Sequence, residues 1–195
     1  FGFNAGSALA ANELAASALM VTHLAASAAM LSWVAAEWLQ HGKPTALGAA
    51  SGAVAGLVAI TPAAGFVTPM PAIAIGLLAG AACYYALNLK NKFGFDDALD
   101  VVGIHGVGGT LGAVLTGLFA TTLVNEAGAD GLFYGGGTHL VIEQVIGVVV
   151  TIVFSFTVSF ILLKVIDKVI GLRVTPEAEE SGLDLAEHAE TGYVL

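Results

Sequence analysis

The sequence predicts an all-α membrane protein: a polytopic bundle of about five transmembrane helices preceded by the end of another helix. Three observations carry this. The 195 residues are 57% apolar and only 11% charged, against roughly 25% charged in soluble domains, and the mean hydropathy is +0.87. Long apolar runs are separated by short stretches of Gly, Pro and charged residues. Finally, all six basic residues (Lys43, Lys90, Lys92, Lys164, Lys168 and Arg173) follow alternate spans, while the opposite loops Gly65–Pro71 and Val124–Thr138 carry none. By the positive-inside rule the basic side is cytoplasmic.

Phe1–Ala11, FGFNAGSALAA, reads as the last turns of a helix. It lacks Met at its start and a basic n-region, so the expectation is a C-terminal portion of something longer and not a signal peptide. Glu13–Gln40 is Ala-rich and apolar, and Gly42 and Pro44 stop it. Trp33 and Trp38, near its cytoplasmic end, read as interface anchors. Glu13 and His23 are ten residues apart, about 80° off alignment on a helix, and read as structural. Thr45–Ala64 is the second span. Its Gly48, Gly52 and Gly56 recur every four residues, a small-xxx-small pattern that permits close helix contact. Pro69 and Pro71 open the third span, Met70–Leu89. The fifth runs from His139 to Ile170.

The fourth span organises the rest. Asp96–Leu123 reads as one helix, and the 26 residues from Ala98 would extend about 39 Å, enough to cross a ~30 Å hydrocarbon core. Its only interior titratable group is His105, expected about 12 Å beyond Asp97 along the axis. An ionisable group in a span is costly and marks a path by default; packing with a local hydrogen bond is the bland alternative. Neutral imidazole carries one donor and one acceptor, so it suits a small hydrogen-bonding solute or a proton relay. Gly106, Gly108, Gly109 and Gly112 would leave room beside it. Asp100 is either a solvated first-turn residue or a buried carboxylate that caps backbone groups; it does not share a face with His105. Phe1, Phe3, Asn4 and Ser7 cluster near the outer end of the first helix. They are either interfacial aromatics or an entrance in which rings attract a cation and a hydroxyl accepts its hydrogen bonds.

The tail Gly171–Leu195 holds no Lys beside its single Arg173, and the last twenty residues contain six of the fifteen acids. Leu172, Val174, Leu183, Leu185, Tyr193 and Val194 make it too apolar for a purely solvated extension, so a docking segment is expected. The division is therefore a transmembrane domain over 1–171 and a cytoplasmic tail over 172–195. Single Cys83 excludes an internal disulfide, and the five histidines lack ligand spacing. GIHGVGGT lacks a phosphate-loop Lys and the third Gly of a dinucleotide fingerprint. No enzyme activity, cofactor, metal or nucleic-acid partner is expected.

In order along the chain, FGFNAGSA, GAVAGLVAITPAAGFV, DALDVVGIHGVGG and GLRVTPEAEESGLDLAEHAETGY resemble the C-terminal half of an ammonium transporter of the Amt/Mep/Rh family. The resemblance covers essentially the whole chain. It implies an eleven-span helical protein built from two inverted five-span repeats plus a long tilted helix, assembled as a homotrimer in the cell membrane. This chain would hold the end of span six and spans seven to eleven, with the second inverted repeat. The resemblance makes His105 one of a pair of pore histidines, Phe3 one of two stacked gate phenylalanines, and Ser7 the hydroxyl of the external ammonium site. Asp100 falls in a DxxGxH-type motif with a structural role. Ammonium would be captured outside, lose a proton and cross as ammonia. The other histidine, gate ring and vestibule residues would lie outside this chain, which would then be incomplete as a pore. His188-Ala189-Glu190 stands where many relatives have His-Gly-Glu, and a PII-type regulator is the candidate partner of the tail. The competing readings are an ammonium sensor and a truncated, non-functional remnant.

Overall fold

The structure is a computed structural model that describes residues 1–94 and 96–192; Tyr193 and Val194 of the apolar tail set lie outside the described residues. Every regular element among those described is helical. Four helices are long and apolar enough to cross a membrane, and Ala46–Ile60 is a shorter apolar helix. The chain divides into two compact units, Phe1–Val148 and Val149–Leu195.

In the first unit, α1 (Gly2–Gly6) is shorter than expected. The Asn12 side chain accepts from the Ala15 amide at 3.0 Å to start the next helix, and that cap needs extended backbone at Asn12 (φ −133°, ψ −176°). The chain therefore leaves α1 early and turns at Leu9 (φ 56°). Helix α2 (Glu13–His41) stops where Gly42 takes a left-handed φ of 74°, a conformation glycine adopts without penalty. Helix α3 (Ala46–Ile60) is capped by Thr45. The Glu37 carboxylate of α2 accepts from both the Thr45 amide (3.0 Å) and hydroxyl (2.8 Å), which locks the α2–α3 corner.

The second span was expected to continue to Ala64. Pro62 has no N–H to give to a fourth-preceding carbonyl, and tight turns replace the helix: Ala63 donates to Ile60 and Phe66 to Ala63, at 2.9 and 2.8 Å. Helix α4 (Pro69–Phe93) places Pro in its first turn and Lys90 and Lys92 in its last, where cations complement the helix dipole.

Small residues bring α2, α3 and α4 into backbone contact. A Cβ on Gly56 of α3 would lie 2.5 Å from the Ala25 carbonyl oxygen, and one on Gly76 of α4 would overlap that same carbonyl. Ala25 is thus approached from both sides and is fully buried. The interior here includes Val21, Ala25, Ala59, Ile60 and Ile75. Trp33 does not anchor at an interface; it is 3% exposed and meets the edge of Tyr84 at 5.7 Å between ring centroids. Gly52 makes room, because the Trp33 Cβ lies where a larger residue would stand. Trp38 does stay exposed.

The fourth span departs most from expectation. Asp96–Asp100 is not helical. A wide π-type turn over Val102–Gly106 leads into α5 (Val107–Phe119). The 18 residues from Val102 to Phe119 cover about 27 Å, not 39 Å. Beyond α5, Thr121 donates to the Phe66 carbonyl (2.8 Å) and Gly131 to that of Ala120 (2.8 Å). Asp130 holds this loop by accepting from the Thr122 amide at 2.8 Å, and that bond lowers its pKa below the ordinary carboxylate value. Helix α6 (His139–Val169) begins against α5, where a Cβ on Gly117 would stand 2.7 Å from Val141 Cα.

The second unit contains the rest of α6 and two short helices, α7 (Pro176–Ser181) and α8 (Leu183–His188). From Val149 onward α6 exposes apolar residues on every side, as a span surrounded by lipid or by other helices does. Arg173 grips Glu179 through two nitrogens, at 2.7 and 3.1 Å. Asp184 accepts from the Gly192 amide at 2.9 Å. Each acid's pKa is lowered, Glu179's by the Arg173 hydrogen bond first and Asp184's by the Gly192 amide first. Ala189 closes α8 with φ 51°. A left-handed alanine costs about 1–2 kcal/mol, so Ala189→Gly is expected to tighten the hairpin of residues 183–192. Slower amide exchange at Gly192 would report it; unchanged exchange would contradict it.

Candidate functional site

Two concave surfaces in the first unit contain Phe3, Asn4, Ser7 and His105, while Phe1 and Asp100 line neither. The first is a hollow of about 270 Å³ where α1, the start of α2, the 61–66 turn and the loop at Asn125 converge; Phe3, Asn4, Ser7, Thr61 and Phe66 line it. Helix α1 ends at Ser7, so the Ser7 hydroxyl folds back and donates to the Phe3 carbonyl at 2.7 Å. Its proton is committed there, and the oxygen's lone pairs remain as acceptors. The Asn4 amide nitrogen donates to Thr22 Oγ1 at 3.1 Å and fixes α1 on α2. Phe3 is 81% exposed, with its ring free to meet another surface. Phe1 lies against His23, 5.8 Å between centroids.

The second surface is an open groove lined by Val54, Leu57, Val58, Thr61, His105 and Gly109. It is almost wholly apolar, and His105 is its only titratable lining residue. His105 is exposed on it. Thr61 borders both surfaces, so the Ser7 hollow and the His105 groove share a lining residue. Nothing in the sequence singled Thr61 out; its place follows from Pro62, which ends α3 there.

The turn that carries His105 is built by three charged residues. The Asp97 carboxylate accepts from the Val101 and Val102 amides, both at 2.9 Å, and so serves as the cap that Asp100 was a candidate for. Lys90 of α4 donates to the Asp97 carbonyl at 2.8 Å and pairs with the Asp100 carboxylate. Asp100 itself takes φ 58°. His105 therefore lies four residues past Val101, the first helical residue, and the 12 Å depth expected from a helix starting at Asp97 does not hold. The glycines divide in two as well. Gly108 and Gly112 are buried against α4 and α3, and only Gly109 borders the groove with His105. Among the described residues no cluster of His, Cys, Asp and Glu suits a metal ion.

A helical bundle with four helices long and apolar enough to cross a membrane, bearing an aromatic and hydroxyl-lined hollow and an apolar groove with one imidazole, has the build of a polytopic membrane protein. The sequence model of the Ammonium Transporter Family matches residues 1–193, and the chain belongs to that family. It is 53% identical over 194 residues to an ammonium transporter of Bacillus subtilis (strain 168), covering 99% of this chain and 48% of that protein. It is 53% identical over 196 residues to an ammonium transporter of Aquifex aeolicus (strain VF5), 100% of this chain and 45% of that one. Among solved structures it resembles Saccharomyces cerevisiae Mep2, with 41% identity and a TM-score of 0.80 over 90% of this chain and 43% of that one. It also resembles a protein titled "Sensor Amt Protein", with 32% identity and a TM-score of 0.84 over 95% and 45%. The chain spans about half the length of the curated relatives it matches.

Proposed function

We propose that this chain forms one wall of a transmembrane pathway for ammonium and ammonia. The observation that carries the reading is that the Ser7 hollow and the His105 groove lie on either side of a shared lining residue, Thr61. Ammonium donates four hydrogen bonds and accepts none. The Ser7 oxygen, its own proton held by Phe3, suits such a guest, and the aromatic faces nearby add cation–π attraction. An unpaired cation pays several kcal/mol in an apolar groove, whereas neutral ammonia pays little. The ion therefore gives up a proton to solvent water at the hollow before it enters as ammonia, and His105 supplies the one polar partner along the apolar wall. Phe3 gates the entrance, and Asp100 holds the His105 turn in place. The rest of the pathway wall, including a second histidine, belongs to the remainder of the full-length protein, which assembles as a homotrimer in the cell membrane. Lys43, Lys92 and Lys164 and the acidic tail face the cytoplasm, where a PII-type regulator docks.

In the full-length protein, His105→Ala is expected to lower ammonium uptake several-fold at equal membrane abundance, or to admit other cations. Uptake of labelled methylammonium together with current recordings checks both. Unchanged rate and unchanged selectivity would reject the reading. The likeness to the protein titled "Sensor Amt Protein" favours a second reading, ammonium sensing. A wild-type protein that binds ammonium but moves none across a sealed vesicle would support sensing instead.

A further inference from the structure

Besides Lys90 and Leu87, α4 sets a third side chain, Cys83, against the His105 turn. Its sulfur lies 3.8 Å from the Ile104 carbonyl oxygen, with the thiol as donor. Cys83 is fully buried, and Ile104 is 6% exposed. Cys83 also sits against Gly108, one turn further along the same helix, where a Cβ would come within 3.1 Å of the sulfur. The thiol therefore fills the space between the carbonyl preceding His105 and the glycine three residues after it. The Ile104 carbonyl lies within the π-type turn and accepts from the Val107 amide three residues on, and within a membrane no water is at hand for its second lone pair. A neighbouring S–H is the donor at hand, weak but already desolvated.

We propose that Cys83 is a positioning residue for transport: by packing against Gly108 and donating to Ile104, it sets the register of the wide turn and hence the direction in which His105 faces the groove. Serine at this position keeps a donor and most of the shape. Alanine keeps neither the donor nor the contact with the carbonyl. Valine fills the space without donating.

This inference rests on the pathway reading of His105, and the experiment separates the two. In the full-length protein, Cys83→Ala, Cys83→Ser and Cys83→Val are compared with wild type and His105→Ala, with uptake normalised to the amount of folded protein in the membrane. Cys83→Ala and Cys83→Val are expected to lower the maximal rate about threefold or more, a loss of the order of one hydrogen bond, with the half-saturating concentration within twofold. Cys83→Ser is expected to stay within twofold of wild type on both. Combined with His105→Ala, Cys83→Ala should add no further loss, because it acts through that side chain. Equal rates in Cys83→Ala and wild type, equal loss in the Ser and Ala variants, or the same fractional loss with and without His105 would each overturn the positioning role. If His105→Ala itself leaves rate and selectivity unchanged, the pathway reading fails first. Should Cys83→Ala fold poorly, the comparison of Cys83→Ser with Cys83→Val still decides the matter.

Discussion

Gly112→Ala is expected to remove most of the folded full-length protein from the membrane. Alanine is the better helix former by about 1 kcal/mol, so propensity alone predicts a gain. The site reverses the sign. A Cβ on Gly112 would overlap the carbonyl oxygen of Ala59, and Ala59 is fully buried within α3. No side chain can rotate away, because the obstacle is backbone. Helices α3 and α5 would have to separate along their contact, opening space around Leu115 and Ile60. Overpacking of this kind costs about 1–3 kcal/mol and more when backbone must move, which outweighs the propensity gain. Gly106→Ala is the matched control, since its Cβ would meet only Val102 of its own turn at 3.7 Å. The prediction is checked by membrane abundance and by the fraction of detergent-solubilised protein that stays monodisperse on heating. Equal behaviour of the Gly112 and Gly106 variants would contradict it.

That contrast shows what was legible in the sequence. Glycines every four residues in α3 announced close helix packing, and Gly48, Gly52 and Gly56 all face α2. Gly108 and Gly112 were taken to clear space beside His105, yet they serve the same packing purpose as the α3 glycines. The composition of a stripe of small residues reports that something comes close; it does not report whether that is backbone or solute. Trp33 was misplaced for a related reason. Tryptophan near the end of a span suits an interface, but Gly52 on the facing helix lets the chain at Trp33 approach closely, and the indole is buried against Tyr84. The start of the fourth span was hidden because Asp96, Asp97 and Asp100 match the acidic first turn of a helix. The actual start depends on Lys90, which is remote in sequence and ties two of those acids by tertiary contact. The π-type turn left no pattern to read. His105 stood out from the sequence; Thr61, which borders both its groove and the Ser7 hollow, did not.

The pairing of Lys90 and Asp100 leads to the second large effect. Asp100→Asn is expected to destabilise the His105 turn and to reduce uptake, while adding Lys90→Met to it restores much of both. Asparagine tolerates left-handed backbone as aspartate does, so the φ of 58° at Asp100 is no obstacle and the change isolates the charge. What remains is a Lys90 ammonium with a side chain only 15% exposed, left without a countercharge and with neutral oxygens such as the Asp97 carbonyl as its partners. Breaking a fully buried pair costs about 3–5 kcal/mol, whereas surface pairs are worth about 0–1. With Asp100 at 35% exposure, an intermediate loss of about 1–3 kcal/mol is the reasonable expectation. Replacing both partners removes the stranded charge, and exchange of a covered ion pair for neutral groups is often neutral or stabilising. The double variant should therefore be more stable than Asp100→Asn alone, although it has lost more native contacts. Thermal unfolding and uptake of the two single variants and the double variant form a closed cycle. Additive losses around that cycle would show that Asp100 acts through something other than Lys90, and would remove the ion pair from the account of how His105 is held.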